Sequence, residues 1–304
     1  MNAHLISGLT LAAAALTGAA PSTTPVHAAQ PRRVVSPSRD RQMLFRVRGT
    51  NGGTVYLLGS VHLLSPEAGK LPPIVDSIYA RATTVAFETS IDTLQARAME
   101  LMMRARYTDG RTLHSSFSPA GAARLDTLLK AYGINPAQVD GFKPWFVSML
   151  FTQLVMQRSN FSAQYGVDMQ INARAKAEKK PTMGLESADT QLGMFDGISQ
   201  ADQERMVLKS VGPDSSARML LKIKDAWSTG DVETLDRLLN EGLKDSPALF
   251  ATLVTNRNAA WVPKIEKLLE RNEDALVVVG AAHLVGKQGL VSLLRAKGYV
   301  VEQM

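Results

Sequence analysis

One short pattern occurs twice in this chain, once near each end of its fold-forming part. The first copy is Val55-Tyr-Leu-Leu-Gly59-Ser-Val-His62, and the second is Leu276-Val-Val-Val-Gly280-Ala-Ala-His283. In both copies an apolar run stops at a glycine, and a histidine follows three residues later. Short apolar runs that end at a turn residue are typical of buried strands. The repeat therefore predicts two related half-domains that bring their histidines together.

The segments around the repeat favour a mixed α/β fold. Each copy continues into a helix-like segment and a second apolar run, which ends on Glu88 in the first half and on Glu302 in the second. The turn-rich sequence between Arg48 and Gly53 predicts a hairpin, which makes the sheet mixed. Strands separated by helices indicate an α/β (mixed α+β) architecture. We expect one mixed sheet built from both halves, with a large helical insertion between them.

The chain is expected to hold one domain behind an export signal. Residues 1–29 contain no acidic residue, have an Ala- and Leu-rich centre and end in Ala28-Ala29, as secretory signal peptides do. No later segment approaches the length of a membrane span. We therefore expect a periplasmic or secreted protein. Its predicted parts are a signal peptide (1–29), a flexible lead (30–41) and a single domain (42–304) made of a first half (42–90), a mainly helical insertion (91–262) and a second half (263–304).

The composition limits the possible chemistry. The chain has no cysteine, which excludes thiolate nucleophiles, cysteine-rich zinc sites and disulfides. A transition metal would have to be held by histidine and carboxylate side chains. The net charge is +6, but the basic residues are scattered, so nucleic-acid binding is not expected. Neither a Gly-x-Ser-x-Gly nucleophile elbow nor a glycine-rich phosphate loop is present.

Polar residues follow four of the predicted strands. These residues are His62, Glu88, Glu186 and His283. In open α/β sheets, ligands bind beyond the carboxyl ends of the strands. Two histidines and a carboxylate around an open position form a common catalytic metal site, which activates water or polarises a carbonyl. Each glutamate also has a structural interpretation, as a solvated strand-end residue or a helix-dipole partner.

Other polar residues leave two interpretations open. Asp168, at a predicted helix start, is either a cap or a ligand. Arg257 either holds a substrate carboxylate or oxyanion or forms a surface salt bridge. His114 and Glu302 are expected on the surface.

Taken together, the motifs resemble those of the TraB/PrgY/GumN family, whose relatives include the Tiki metalloproteases. The resemblance covers nearly the whole predicted domain, and secreted bacterial GumN-type members are the most similar. It rests on Gly59-Ser-Val-His62, Phe87-Glu88, Lys143-Pro144-Trp145, Gly166-Val-Asp168, Gly184-Leu-Glu186 with Gln191, Arg257-Asn258 and Gly280-Ala-Ala-His283. Ala282 stands where glycine is common in the family.

The resemblance implies a fold like that of the erythromycin-esterase and ChaN group. From the Tiki relatives it implies metal-dependent peptide cleavage that requires both Gly-x-x-His histidines and a glutamate. By position, His62, His283 and Glu88 would be metal ligands. Glu186 and Arg257 would support the catalytic site beside Glu88.

The sequence therefore predicts a secreted, divalent-metal-dependent hydrolase, with a peptidase as first choice. The ion would be Zn²⁺, Mn²⁺ or Co²⁺, and the substrate a peptide or another small envelope molecule. Whether Glu88 or Glu186 is the general base stays open at this point. One alternative is a non-catalytic cell-envelope protein that uses the same cleft for a peptide or a haem-like ligand. Another is a metal-free, esterase-like hydrolase with histidine as general base.

Overall fold

The predicted hairpin opens the folded part of the chain. A computed structural model describes residues 41–50 and 52–304. Strand β1 (Leu44–Arg48) pairs antiparallel with β2 (Thr54–Ser60), and Leu44 lies opposite Leu58. The predicted signal peptide and all of the predicted lead except Arg41 lie outside the described residues.

The two copies of the repeated pattern lie side by side in one sheet. The further strands are β3 (Thr84–Phe87), β4 (Thr182–Gly184), β5 (Asp274–Gly280) and β6 (Val301–Gln303). The sheet order is β4-β3-β5-β2-β1-β6, and the four strands from β4 to β2 are mutually parallel. Strand β1 is antiparallel to both of its neighbours, so the predicted mixed sheet is confirmed. In the parallel β2–β5 pair, Ser60 lies opposite Gly280.

The helices follow in chain order, most of them between β3 and β5. Helix α1 (Pro73–Arg81) connects β2 to β3. The middle of the chain contains α2 (Ile91–Ala96), α3 (Ala98–Arg104), α4 (Pro119–Tyr132), α5 (Pro136–Val139), α6 (Pro144–Arg158), α7 (Val167–Ala177), α8 (Ala188–Gly193), α9 (Gln200–Leu208), α10 (Pro213–Ser228), α11 (Val232–Lys244), α12 (Pro247–Phe250), a π-helical turn (Ala251–Thr255) and α13 (Asn256–Leu269). Helix α14 (Leu290–Ala296) connects β5 to β6.

The sequence predicts helices over Pro119–Tyr132 and Pro144–Arg158, and α4 and α6 have these bounds. Helix α4 begins at a proline after the cap residue Ser118, which accepts a hydrogen bond from the Gly121 N–H, and it ends at Gly133 with φ +72°. Helix α6, apolar nearly all round, is expected to be buried, and Trp145 and Phe151 are fully buried.

Elsewhere the structure differs from the local pattern. The periodic, Met-rich stretch Ile91–Tyr107 predicts a single helix. The structure divides it at Arg97, whose φ of −100° and ψ of 14° lie outside the helical range. The sequence predicts a helix over Pro247–Arg271 with a break near Pro263. That break is absent, and Pro263 lies inside α13. Its neighbours Trp261 and Ile265 are fully buried, and this packing outweighs the local cost of the proline. The irregular turn instead lies earlier, at Ala251–Thr255.

No helix in the described part of the chain is long and apolar enough to cross a membrane.

The structure predicts a pH-dependent contribution of His114 to stability. His114 lies 2.8 Å from both Asp126 and Asp140, and hydrogen bonds to Asp126 and then Asp140 raise its pKa. A histidine whose pKa is higher in the folded than in the unfolded state stabilises the fold. This stabilisation is complete below the unfolded-state pKa of about 6.5 and is lost as the pH rises through the folded-state pKa. In urea unfolding, the stability difference between wild type and His114→Gln should therefore shrink from about pH 6 to about pH 9. An equal difference at both pH values would show that the charge of His114 contributes nothing.

Candidate functional site

Four neighbouring strands deliver polar side chains to one edge of the sheet. His62 follows β2, Glu88 follows β3, Glu186 follows β4 and His283 follows β5. Because these strands are parallel, their carboxyl ends meet at the same edge. The four residues are only 1–9% exposed. The structure thus gathers these four strand-end residues into one buried cluster.

Arg257 lies between the two glutamates. Its Nη2 is 2.6 Å from Glu88 Oε2 and 2.6 Å from Glu186 Oε1, and its Nε is 3.1 Å from each carboxylate oxygen of Glu186. The side chain is 8% exposed, and its guanidinium lies 4.7 Å from the centre of the Trp261 ring. Of the two interpretations that the sequence leaves open, the surface salt bridge is therefore wrong.

The π-helical turn before α13 contributes to the placement of Arg257. The Leu253 carbonyl, within this turn, accepts a hydrogen bond of 3.2 Å from Arg257 Nη1. Single π-helical turns inside helices often occur at functional sites because they change the direction of side chains and free backbone groups. The turn and the arginine thus form one local structure.

Glu88 connects the two halves of the repeat. Its Oε1 accepts a hydrogen bond of 2.8 Å from the N–H of Gly280, the glycine of the second copy. Gln191 Nε2 lies 3.4 Å from Oε2. Burial raises the pKa of Glu88, but the charge of Arg257, helped by His283 and His62, outweighs it and lowers the pKa to about 2. Glu88 is therefore ionised at neutral pH.

The pKa of Glu186 is shifted in the opposite direction, upwards. Burial and the neighbouring charge of Glu88 raise its pKa, although Arg257 and the Trp261 Nε1–H donor at 3.2 Å act against this. Two adjacent carboxylates with oppositely shifted pKa values are a common arrangement where one carries charge and the other transfers protons.

His283 is held in one tautomer by Asn258. The Nδ2 of Asn258 donates to the carbonyls of His283 and Gln288 at 3.2 and 2.8 Å, so its Oδ1 must be the atom that faces His283 Nδ1 at 2.7 Å. His283 Nδ1 then carries the proton, and the lone pair is on Nε2. That lone pair faces Arg257 Nη1 at 3.1 Å, and Glu88 Oε1 lies 3.8 Å away.

His62 is paired on one side only. Its Nδ1 lies 2.9 Å from Asp168 Oδ2. Asp168 Oδ1 in turn accepts a hydrogen bond of 2.7 Å from the Ser60 hydroxyl. The other ring nitrogen, Nε2, is buried and makes no hydrogen bond. Burial lowers the pKa of His62, but the charge of Asp168 outweighs it and raises the pKa.

A small cavity adjoins His62 and Glu88. Its volume is about 10 Å³, counted as the space open to the centre of a water molecule. This is room for about one water molecule or one ion. Among the residues that the structure describes, no three His, Asp or Glu side chains are close enough together to form a ready-made metal site. The cavity lining comprises His62, Phe87, Glu88, Thr89, Ile91, Asp168, Val278 and Val279.

Sequence reasoning missed how several residues serve this cluster. Asp168 makes no helix-cap hydrogen bond to α7 and instead lies beside His62 as its ion-pair partner. Asn258 orients His283, and Trp261 donates a hydrogen bond to Glu186. In the sequence, only the closeness of both residues to Arg257 indicated such roles. His114 is half-buried and Glu302 is exposed beside Arg46, so neither is part of the cluster.

Comparison with known proteins gives a family for almost the whole folded part of the chain. The family model described as "TraB/PrgY/gumN family" matches residues 43–303. The protein YbaP of Escherichia coli K12, described as uncharacterized, is 25% identical over 242 residues, which is 79% of this chain and 87% of that protein. YbaP of Shigella flexneri matches to the same extent. No solved structure matches significantly.

The structure predicts that a methyl group at Gly166 disturbs the His62 loop. Gly166 caps α7, and a Cβ there would overlap the His62 carbonyl, lying 2.8 Å from its carbon. Gly212 caps α10 with nearly the same backbone angles and has nothing within 4 Å of such a Cβ. Gly166→Ala should therefore cost about 1–3 kcal/mol more than Gly212→Ala in denaturant unfolding. Equal costs would show that the loop yields freely.

The opposite pKa shifts predict unequal effects of two isosteric substitutions. The ionised form of Glu88 is favoured in the fold, whereas that of Glu186 is disfavoured. At pH 7, Glu88→Gln should therefore destabilise the protein by roughly 3 kcal/mol, and Glu186→Gln by clearly less. The stabilisation by Glu88 should be present above its unfolded pKa and disappear as pH falls towards about 2. Equal losses in urea unfolding would contradict this assignment.

Proposed function

Because the chain belongs to the TraB/PrgY/gumN family, we propose that its strand-end cluster is the active site of a divalent-metal-dependent hydrolase. The substrate class we propose is peptides or other small molecules of the cell envelope, met after export to the periplasm or beyond. The proposal rests on the unpaired ring nitrogen of His62. Its Nε2 is buried without a hydrogen bond beside the cavity that Glu88 also lines. A buried unpaired nitrogen is costly unless a ligand satisfies it.

The donor set suits a divalent cation. His62 has the carboxylate partner, Asp168, that usually orients metal-binding histidines. Three buried carboxylates (Glu88, Asp168 and Glu186) against the one guanidinium of Arg257 leave a net charge of −2 when both histidines are neutral. A divalent ion would neutralise that charge in a region where unbalanced charge is expensive.

His62, Glu88 and His283 would hold the ion, in keeping with the chemistry of nitrogen and carboxylate donors. When bound, such an ion lowers the pKa of a water molecule and polarises a carbonyl. Zn²⁺, Mn²⁺ and Co²⁺ all suit this donor set. For His283 to contribute, its Nε2 would have to exchange its contact with Arg257.

The protein's own groups divide the remaining tasks. Asp168 fixes the ring of His62, and Asn258 fixes that of His283. Glu88 remains ionised next to Arg257, which suits a ligand. Glu186 has the raised pKa and so is the better group to accept and return a proton. We therefore assign the role of general base to Glu186, which sequence reasoning leaves open.

One observation favours a second candidate, a metal-free hydrolase. The His62–Asp168 pair alone has the arrangement of a general base with its orienting carboxylate. Arg257 meanwhile occupies His283 Nε2 and would stabilise negative charge that develops on a substrate. In this mechanism His62 would remove the proton of the attacking water.

Hydrolysis of unstructured peptides by the full chain, followed by mass spectrometry with and without Zn²⁺, Mn²⁺ or Co²⁺, tests the proposal. His62→Ala should lose roughly 100- to 10,000-fold in kcat/KM, while His114→Ala should retain wild-type activity. Full activity in His62→Ala would refute the site.

Asp168→Asn separates the two candidates. If His62 is a metal ligand, loss of its carboxylate partner should weaken metal binding roughly 10- to 100-fold, and excess metal should restore activity. If His62 is a general base, metal should not restore activity, and activity should survive a chelator in the wild type. Peptide binding without hydrolysis under every condition would instead support a binding protein.

A further inference from the structure

Arg257 contacts two of the three groups that the proposed ion needs. Its Nη2 donates to Glu88 Oε2 at 2.6 Å, and its Nη1 faces the His283 Nε2 lone pair at 3.1 Å. The tautomer of His283 leaves Nε2 as its one acceptor nitrogen, and this is the atom that a metal would use. The Arg257 guanidinium therefore interacts with the same lone pair of His283 Nε2 that would coordinate the metal.

A second set of contacts holds Arg257 independently of these two groups. Its Nε and Nη2 pair with the Glu186 carboxylate, its Nη1 donates to the Leu253 carbonyl, and its planar group lies over Trp261. Moving away from Glu88 and His283 would therefore leave the arginine anchored and its charge still paired. Glu186, Leu253 and Trp261 are therefore the partners that would remain to Arg257 if it left Glu88 and His283.

We propose that Arg257 is an internal cation that competes with a divalent metal for Glu88 and His283 and thereby sets the metal affinity of the site. This inference rests on the proposed metal-dependent function and adds a regulating residue to it. In the metal-free protein, Arg257 fills the site and keeps Glu88 paired. When the metal binds, Arg257 retains Glu186, Leu253 and Trp261 as partners.

The competition differs from simple charge repulsion, and Arg257→Lys distinguishes the two. Lysine keeps the positive charge but has a single nitrogen, so it does not reproduce the fork in which Arg257 Nη1 faces His283 while Nη2 lies between Glu88 and Glu186. Repulsion would leave the metal affinity of Arg257→Lys like that of the wild type. Competition for the lone pair of His283 would raise it. The variant also keeps a partner for the buried carboxylates, which favours folding.

The test is a titration of the metal-free full chain with Zn²⁺ against a chromophoric chelator. Arg257→Lys should bind Zn²⁺ roughly 10- to 100-fold more tightly than the wild type, and Arg257→Gln at least as tightly as Arg257→Lys. Arg46→Gln, which removes a guanidinium paired with the exposed Glu302, should bind like the wild type. His62→Ala should lose the site.

Each remaining outcome has one meaning. Wild-type affinity in Arg257→Lys, with binding still lost in His62→Ala, would overturn the competition and leave the proposed function standing. No Zn²⁺ binding in the wild type or in either Arg257 variant would overturn the metal-dependent function itself. If Arg257→Gln fails to fold, Arg257→Lys alone decides, and thermal unfolding with and without Zn²⁺ establishes whether each variant folds.

Discussion

The buried guanidinium of Arg257 between Glu88 and Glu186 is the interaction on which the architecture of the site depends. Two carboxylates at the ends of adjacent strands repel each other in a region that excludes water, and Arg257 pairs with both. Buried pairs of this kind cost desolvation energy, and removing one partner typically destabilises a protein by about 3–5 kcal/mol. Such a cluster contributes little to net stability, which agrees with the functional role that we propose for it.

The sheet explains why these residues meet. Parallel strands deliver their last residues to one edge, and the two repeat copies occupy the neighbouring strands β2 and β5. Glu88 then contacts the N–H of Gly280, so the first half supplies a carboxylate to the glycine of the second half. The helical middle of the chain completes the arrangement with Glu186, Asp168 and Arg257.

Local signals allowed part of this structure to be predicted. Prolines at helix starts and the glycine after Tyr132 determine the bounds of α4 and α6, and the repeated pattern predicts two strands with histidines at their ends. The pairing of Arg257 with both glutamates could not be predicted, because it depends on a π-helical turn and on packing between distant segments. The pairing of Asp168 with His62 joins residues 106 positions apart and leaves no local pattern. Pro263 was a misleading signal because the burial of α13 outweighs its local cost.

The metal content of the purified full chain, measured by inductively coupled plasma mass spectrometry beside His62→Ala and His283→Ala, tests the central claim most directly. A shared metal site predicts about one ion per chain in the wild type and loss of the ion in both variants. Such a result would join the two repeat copies in a single function. Absence of metal from the wild type, even after incubation with Zn²⁺, Mn²⁺ or Co²⁺, would contradict the claim.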